Sequence, residues 1–380
     1  MPHQTIAYLD NSATTPVCRE AADKALHMMT ACFGNPSSLH SLGYEAEQEM
    51  AAARREVAAR MGARPDSLLF TSGGTEANNL AVLGAAFAKQ RMGRHIVTTA
   101  VEHASVLHAC RELERQGFAV TYLTPDAAGT ITPAMVAAAC RKDTVLVSIM
   151  MVNNETGARF PIEQILPAVR RAAPAALFHC DAVQAFGKLP INLSRLDADL
   201  LTVSAHKIHG PKGCGALYVK KGVRLLPRAY GGGQEKGLRP GTEAVPLITA
   251  FGAAAAALPP CGEQEAHFRL LDERLREGLT AMEGVVLHLP AERVPYILNL
   301  SVPGIRSETM LHFLSARGVY VSSGSACSKG AQSPVLAAMG LPAREIDSAL
   351  RISLSHTNSI EDVDRFLSGL REAYASLARA

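Results

Sequence analysis

Short apolar, β-branched runs recur along residues 60–220. They read "SLLFTS" (67–72), "HIVTTA" (95–100), "FAVTYL" (118–123), "TVLVSIM" (144–150), "ALFHCD" (176–181), "LLTVSAH" (200–206) and "GALYVK" (215–220). Helical stretches separate most of them, among them "EANNLAVLGAAFAKQRM" (76–92) and "SVLHACRELERQG" (105–117). In the first of these Leu80, Leu83, Gly84 and Phe87 fall on one helix face. Strands alternating with helices predict a mostly parallel sheet covered by helices on both faces. "VPLITAFGAAAAAL" (245–258) predicts a long helix stopped by Pro259 and Pro260, and that break marks a domain boundary. Beyond it the pattern changes to helix, strand and helix units: "EQEAHFRLLDERLREGLTAM", "YILNLSV", "ETMLHFLSARG", "ALRISLS" and "IEDVDRFLSGLREAYASLA". These predict a second domain of the α+β kind. No internal repeat or low-complexity stretch interrupts the pattern.

A chain of 380 residues suits about two domains at roughly 100–200 residues each. With 48% hydrophobic and 19% charged residues it can bury a large core. The net charge of +3 is small, and the basic residues are dispersed without a polybasic run, so nucleic acid is not an expected partner. "MPHQTIAYLD" lacks the basic start and apolar run of a signal peptide, and no stretch approaches the length that spans a bilayer. The expected location is the cytoplasm. The eight cysteines (18, 32, 110, 140, 180, 214, 261 and 327) contain no CxxC spacing, which argues against structural disulfides and a zinc site. "HKIH" places His206 and His209 at i, i+3 without further ligands nearby, so no metal site is expected.

Four polar features sit at the ends of the apolar runs. "TSGGTEANNL" (71–80) follows a strand and opens a helix. Its small residues leave backbone N–H groups at the positive end of the helix dipole, a place for a phosphate. It reads equally as an ordinary capped helix start, with Ser72 or Thr75 as the cap. "SAHKIHGPKG" (204–213) puts Lys207 at a strand end, where an amine can form a Schiff base with a carbonyl cofactor; a solvated turn lysine is the plain alternative. Asp181 ends "ALFHCD" at the edge where open α/β sheets bind ligands, although a helix cap is open to it too. His103 follows another strand and can stack on a flat ring or move protons; the default is a satisfied loop histidine. A fifth feature is "SSGSACSKG" (322–330), with Cys327 among glycines and serines. That is either a thiol left in a linker or a nucleophile on a swinging arm.

Taken in order, these features make the chain resemble the cysteine desulfurases, the NifS/IscS-like branch of the class V aminotransferases, on fold type I of the pyridoxal phosphate enzymes. The resemblance runs from about Tyr8 to about Ser355. It is carried by "YLDNSATTP", "FGNPSSLH", "TSGGTEANNL", "MMVNNETGARFPI", "DAVQAFGKLPI", "SAHKIHGPKGCGALYV", "GGGQEKGLRPGTE", "SSGSACS" and "LRISLS". It implies a large cofactor-binding domain over 15–260 with a mostly parallel seven-stranded sheet. Residues 1–14 and 261–380 would then form a smaller α+β domain with a mobile cysteine loop at about 322–334. Lys207 would hold pyridoxal 5'-phosphate covalently, Asp181 would pair with its ring nitrogen, and Gln184 would bond its ring oxygen. His103 would stack on the ring and assist proton transfer. Gly74, Thr75, Ser204 and His206 would bind the phosphate, and Thr242 would reach the phosphate of the neighbouring subunit in a homodimer with shared sites. Asn154 and Arg351 would hold the substrate L-cysteine, with Arg351 forking onto its carboxylate. Cys327 would take up its sulfur as a persulfide and pass it to an acceptor protein, an iron–sulfur scaffold or a tRNA-thiolation enzyme. The stretch between Cys327 and "LRISL" is shorter than in the housekeeping members, which leaves the acceptor open. A selenocysteine lyase uses much the same site. A plain aminotransferase has no need of Cys327, and a silent assembly partner has no need of Lys207, Asp181, His103 or Cys327.

Overall fold

The computed structural model describes residues 6–126, 128–323 and 333–377. In chain order its strands are β1 (Ala7–Tyr8), β2 (Leu68–Thr71), β3 (His95–Thr99), β4 (Ala119–Leu123), β5 (Thr144–Ser148) and β6 (Leu177–Asp181). They continue with β7 (Leu200–Ser204), β8 (Gly215–Val219), β9 (Val286–His288), β10 (Ile297–Ser301), β11 (Val319–Tyr320) and β12 (Ala349–Ser353). The first four helices are α1 (Arg19–Thr30), α2 (Ser41–Ala59), α3 (Gly74–Lys89) and α4 (Ala104–Arg115).

Seven strands form one sheet in the order β2-β8-β7-β6-β5-β3-β4, the mostly parallel sheet that the pattern predicts. The stretch from β7 to β4 is parallel throughout, whereas β8 runs antiparallel to both β7 and β2. Because β8 opposes both neighbours, β2 points the same way as the parallel strands. The C-terminal ends of β2, β3, β5, β6 and β7 therefore lie on one edge, where ligands bind in open α/β sheets. Strands β3, β5, β6 and β7 are buried along their whole length, which is why each reads as a continuous apolar run.

Alternate residues face opposite sides of the sheet. One side carries Val97, Val147, Phe178, Cys180, Leu201 and Val203, and its core runs on without a break into Leu350, Ile352 and Phe366 near the C-terminus. The other side carries Ile96, Leu146, Leu177 and Leu200, and α3 packs over it. The predicted helix at 245–258 ends at Ala257, where Leu258 turns extended ahead of Pro259 and Pro260. This helix packs against α1 and α2.

Strands β12, β10 and β9 form a second, antiparallel sheet, and β1 pairs with β11 in parallel. Asp10 bridges to Ser353 and Ser322 bridges to Arg351, so three distant chain segments meet at the end of β12. From there the stretch after β1 crosses to the binding edge of the large sheet, where the Thr15 N–H donates to the His206 carbonyl (2.9 Å). Among the described residues no single helix is long and apolar enough to cross a membrane.

Candidate active site

Asp181 ends β6 and is buried, with both carboxylate oxygens hydrogen-bonded. Oδ1 accepts from the Val183 N–H (2.9 Å) and Oδ2 from Asn78 Nδ2 (2.7 Å). Asn78 lies on α3, one turn past Gly74, and its amide also donates to Ser105 Oγ (2.9 Å). Ser105 in turn contacts His103, the N-cap of α4: its hydroxyl lies 2.7 Å from His103 Nδ1, and its backbone N–H donates to the same nitrogen (3.2 Å). Burial pushes the His103 pKa down, with Lys207 adding to the effect and Asp181 opposing it.

Lys207 follows β7 and is buried. Its Nζ donates to the carbonyls of Ser12 and Ala13 (2.7 Å to Ala13). Burial, together with the nearby charges of Arg351 and Lys188, pulls its pKa down to about 7. Near neutral pH much of this amine is therefore uncharged, the form that attacks a carbonyl. Gln184 comes into the same corner, with Nε2 donating to the Ser12 carbonyl (3.0 Å). His206 has Nδ1 3.3 Å from Thr14 Oγ1, and burial beside Lys207 brings its pKa to about 4.

The turn between β2 and α3 passes through Gly73 at φ 152°, a conformation that only glycine adopts readily. Gly74 then starts the helix, and a Cβ built there would stand 3.1 Å from Val183 Cγ2 and 3.7 Å from Ser204 Cβ. The bare start of α3 thus faces the end of β7. Ser204 Oγ is buried and has no hydrogen-bond partner among the described residues. Thr75 is exposed on the first turn of α3.

Arg351, on β12, is buried. Its Nη1 donates to the Asn154 carbonyl (3.0 Å) and its Nη2 pairs with Asp10 (2.7 Å), while Nε has no partner among the described residues. That N–H is a spare donor for a carboxylate. Glu155, next to Asn154, is buried and accepts from the Ser333 hydroxyl; burial raises its pKa to about 7. Ser322 exchanges backbone hydrogen bonds with Arg351 (2.7 and 3.2 Å). Cys327 lies outside the described residues, which run to Ser323 and resume at Ser333.

The structure thus brings Lys207, Asp181, His103, Gln184, Ser204, His206, Gly74 and Thr75 to one sheet edge, with Asn154 and Arg351 alongside. Thr242 is exposed on the glycine-rich stretch 231–243. That stretch is fastened to the sheet through Glu235, which accepts two bonds from Arg54 (2.6 and 3.0 Å) and one from the Phe70 N–H (3.1 Å). Sequence reasoning missed Asn78, Ser105, Asp10, Ser12 and Glu155. The pair of asparagines early in α3, poor helix formers both, was a usable signal for Asn78.

The unpartnered groups test whether pyridoxal phosphate suits these residues. Ser204 Oγ, Ser12 Oγ and Gln184 Oε1 are buried without partners among the described residues. Buried polar groups are rarely left unpaired unless a ligand or water satisfies them. An acid, a partly neutral lysine and a helix N-terminus beside a free hydroxyl, all on one edge, fit that cofactor.

Among known proteins, the family model described as aminotransferase class-V matches residues 7–366. The cysteine desulfurase IscS of Methanosarcina thermophila is 43% identical over 374 residues, covering 97% of this chain and 92% of that protein. A solved NifS-like protein superposes with a TM-score of 0.93 at 37% identity, covering 98% of this chain and 100% of its own. SspA in complex with cysteine superposes with a TM-score of 0.82 at 36% identity, covering 92% of this chain and 99% of its own.

Proposed function

This chain belongs to the class V aminotransferase family, and we propose that it is a cysteine desulfurase that takes the sulfur of L-cysteine and releases L-alanine. The observation that carries this reading is that Lys207 and Asp181, on one sheet edge, are joined by Arg351 from β12 of the second sheet. There a partly neutral amine lies within electrostatic reach of a bonded carboxylate and of a guanidinium whose Nε has no partner among the described residues. Pyridoxal phosphate, when bound, supplies the carbonyl for Lys207 and a ring that draws electrons from the Cα of the amino acid.

The chain's own residues do the rest. Asp181 keeps a proton on the ring nitrogen. The start of α3 at Gly74 and Thr75, with Ser204 and His206, binds the phosphate. The second N–H of the Gln184 amide serves the ring oxygen, since the first goes to Ser12. Arg351 takes the substrate carboxylate with its unpaired Nε, Asn154 stands beside it, and Lys207 takes and returns the proton at Cα. Cys327 Sγ then attacks the sulfur of the substrate. The Cβ–S bond breaks, an S–S bond forms, Cβ gains a proton, and the persulfide on Cys327 passes to an acceptor protein. The relatives' names favour L-cysteine over selenocysteine as the substrate.

A homodimer belongs to the same proposal. Leu26, Met29, Phe33, Leu39 and Tyr44 expose large apolar surfaces along α1, the start of α2 and the turn between them, a cluster that a second subunit can cover. Thr242, exposed on its fastened stretch, would then serve the partner's phosphate.

The test is turnover of the purified, cofactor-loaded protein. With L-cysteine and a thiol reductant, alanine and sulfide should appear in equal amounts. Cys327→Ser should keep the cofactor's absorbance and form no persulfide, and Lys207→Ala should lose the covalent attachment. Absence of alanine and sulfide, or a persulfide on another cysteine of Cys327→Ser, refutes the assignment. Full activity on L-selenocysteine with none on L-cysteine replaces it with the lyase.

A further inference from the structure

We propose that Asn78 and Ser105 are positioning residues that hold His103 neutral with its proton on Nε2, so that His103 meets the reacting groups as a hydrogen-bond donor. This rests on the desulfurase reading only for where the reacting groups lie. The tautomer follows from the hydrogen bonds alone.

The chain of assignments starts at Asp181. Its Oδ2 is 2.7 Å from the Asn78 amide, and a carboxylate accepts only from the NH₂ side. Turning the amide over would set Oδ1 against the carboxylate, acceptor to acceptor. With Nδ2 fixed toward Asp181, its second hydrogen points at Ser105 Oγ (2.9 Å). Ser105 Oγ therefore accepts from Asn78, and its own proton turns to His103 Nδ1 at 2.7 Å. The backbone N–H of Ser105, which can only donate, reaches the same nitrogen at 3.2 Å. Two donors converge on Nδ1, so Nδ1 carries the lone pair and Nε2 the proton. Protonating Nδ1 would set its N–H against both donors and break the cap at the start of α4. The titratable side chains that His103 feels are Asp181 on β6, Lys207 after β7 and His108 further along α4, and burial is the largest influence in holding the imidazole neutral.

The consequence is a division of labour. Nε2 already bears a proton and Nδ1 is covered by two donors, so the resting histidine cannot act as a base. Proton removal at Cα falls to Lys207, and His103 supplies a hydrogen bond from Nε2. The same amide joins the acid at the ring nitrogen to the histidine, so replacing Asn78 disturbs both ends.

Imidazole nitrogen shifts of the ¹⁵N-histidine-labelled holoenzyme, with His103 assigned by His103→Gln, test this without turnover. The wild type should show Nε2 protonated and Nδ1 bare throughout the neutral range. Ser105→Ala should let the tautomers mix, the ratio moving by about fivefold for one lost buried hydrogen bond, and should raise the histidine's titration midpoint. Ser105→Thr, which keeps the hydroxyl, should restore the wild-type signal. A proton on Nδ1 in the wild type overturns the proposal, as does a tautomer ratio and midpoint unmoved in a folded Ser105→Ala. The wild-type spectrum decides even if the variant does not fold. An enzyme that shows this tautomer and fails to release alanine loses the desulfurase reading only; one that releases alanine with the proton on Nδ1 loses this proposal only.

Discussion

The two faces of the central sheet are built from the same strands and do different work. On one face β6 and β7 present Phe178, Cys180, Leu201 and Val203, apolar from end to end. On the other, the same strands begin apolar and turn polar toward the binding edge. There β7 runs Leu200, Thr202, Ser204, and β6 runs Leu177, His179, Asp181. Beside them β5 runs Leu146, Ser148 and β3 runs Ile96, Thr98. Of these, Thr98, Ser148, His179 and Thr202 are fully buried and bonded to one another. His179 lies between Ser148 Oγ (2.8 Å) and Thr202 Oγ1 (3.0 Å), and Thr98 donates to the Ser148 carbonyl (2.9 Å). One face supplies hydrophobic stability. The other gives up part of that stability to place a rigid polar floor beneath the site, because a satisfied buried network has few alternative arrangements.

The contrast is broken most strongly from the apolar side. Phe178→Ala removes a fully buried ring from the continuous core and should lower unfolding stability by about 3–5 kcal/mol in denaturant titrations. A change below about 1 kcal/mol would mean that this face is not the stabilising one.

The polar face should reveal itself through pH. Burial takes the His179 pKa from 6.5 to about 4 in the folded protein. Between those values the unfolded chain binds the proton more readily, so stability falls as pH drops through 6.5 and the loss levels off below about 4. From pH 7 to pH 5 this histidine alone should cost about 2 kcal/mol. His206 and His209 are also pushed down to about 4, so the clean measurement is the difference between wild type and His179→Gln, which removes one titration. Identical pH slopes for the two proteins would show that His179 accepts its proton without loss and that the floor is not rigid.

The same contrast explains how far the sequence could be read. Strands β3, β5, β6 and β7 are legible because strands buried on both faces are continuous apolar runs, and Asp181, His103 and Lys207 stand out as polar residues where such runs end. Local pattern could not show which group answers which. Asn78 meets Asp181 across 103 positions of sequence, and Arg351 meets Asp10 across 341. Neither separation leaves a periodic mark. Asn154, Arg351 and Thr242 follow from the family resemblance, not from local pattern. Thr242 carries no local signal at all, since its proposed partner is on a second chain. Ser105 was hidden for a different reason: two residues after a histidine it looks like a routine residue of a helix's first turn, and only the approach of α3 makes it a link.

The smallest stability effect is expected one step along the polar face. Ser204 follows Thr202 on the same side of β7 and is just as buried, yet Thr202 bonds His179 while Ser204 Oγ has no partner among the described residues. Removing a hydroxyl that bonds nothing costs the cofactor-free protein little, so Ser204→Ala should change its unfolding stability by no more than about 0.5 kcal/mol. If that hydroxyl is kept for an anion held by the start of α3, the same substitution should weaken pyridoxal phosphate binding by about tenfold or more, the usual worth of a hydrogen bond to a charged group. Equilibrium titration of the cofactor, set beside denaturation of the cofactor-free protein, separates the two. A loss of stability with unchanged affinity would place Ser204 in the floor with His179, and would move the boundary between scaffold and site one residue pair further along the strand.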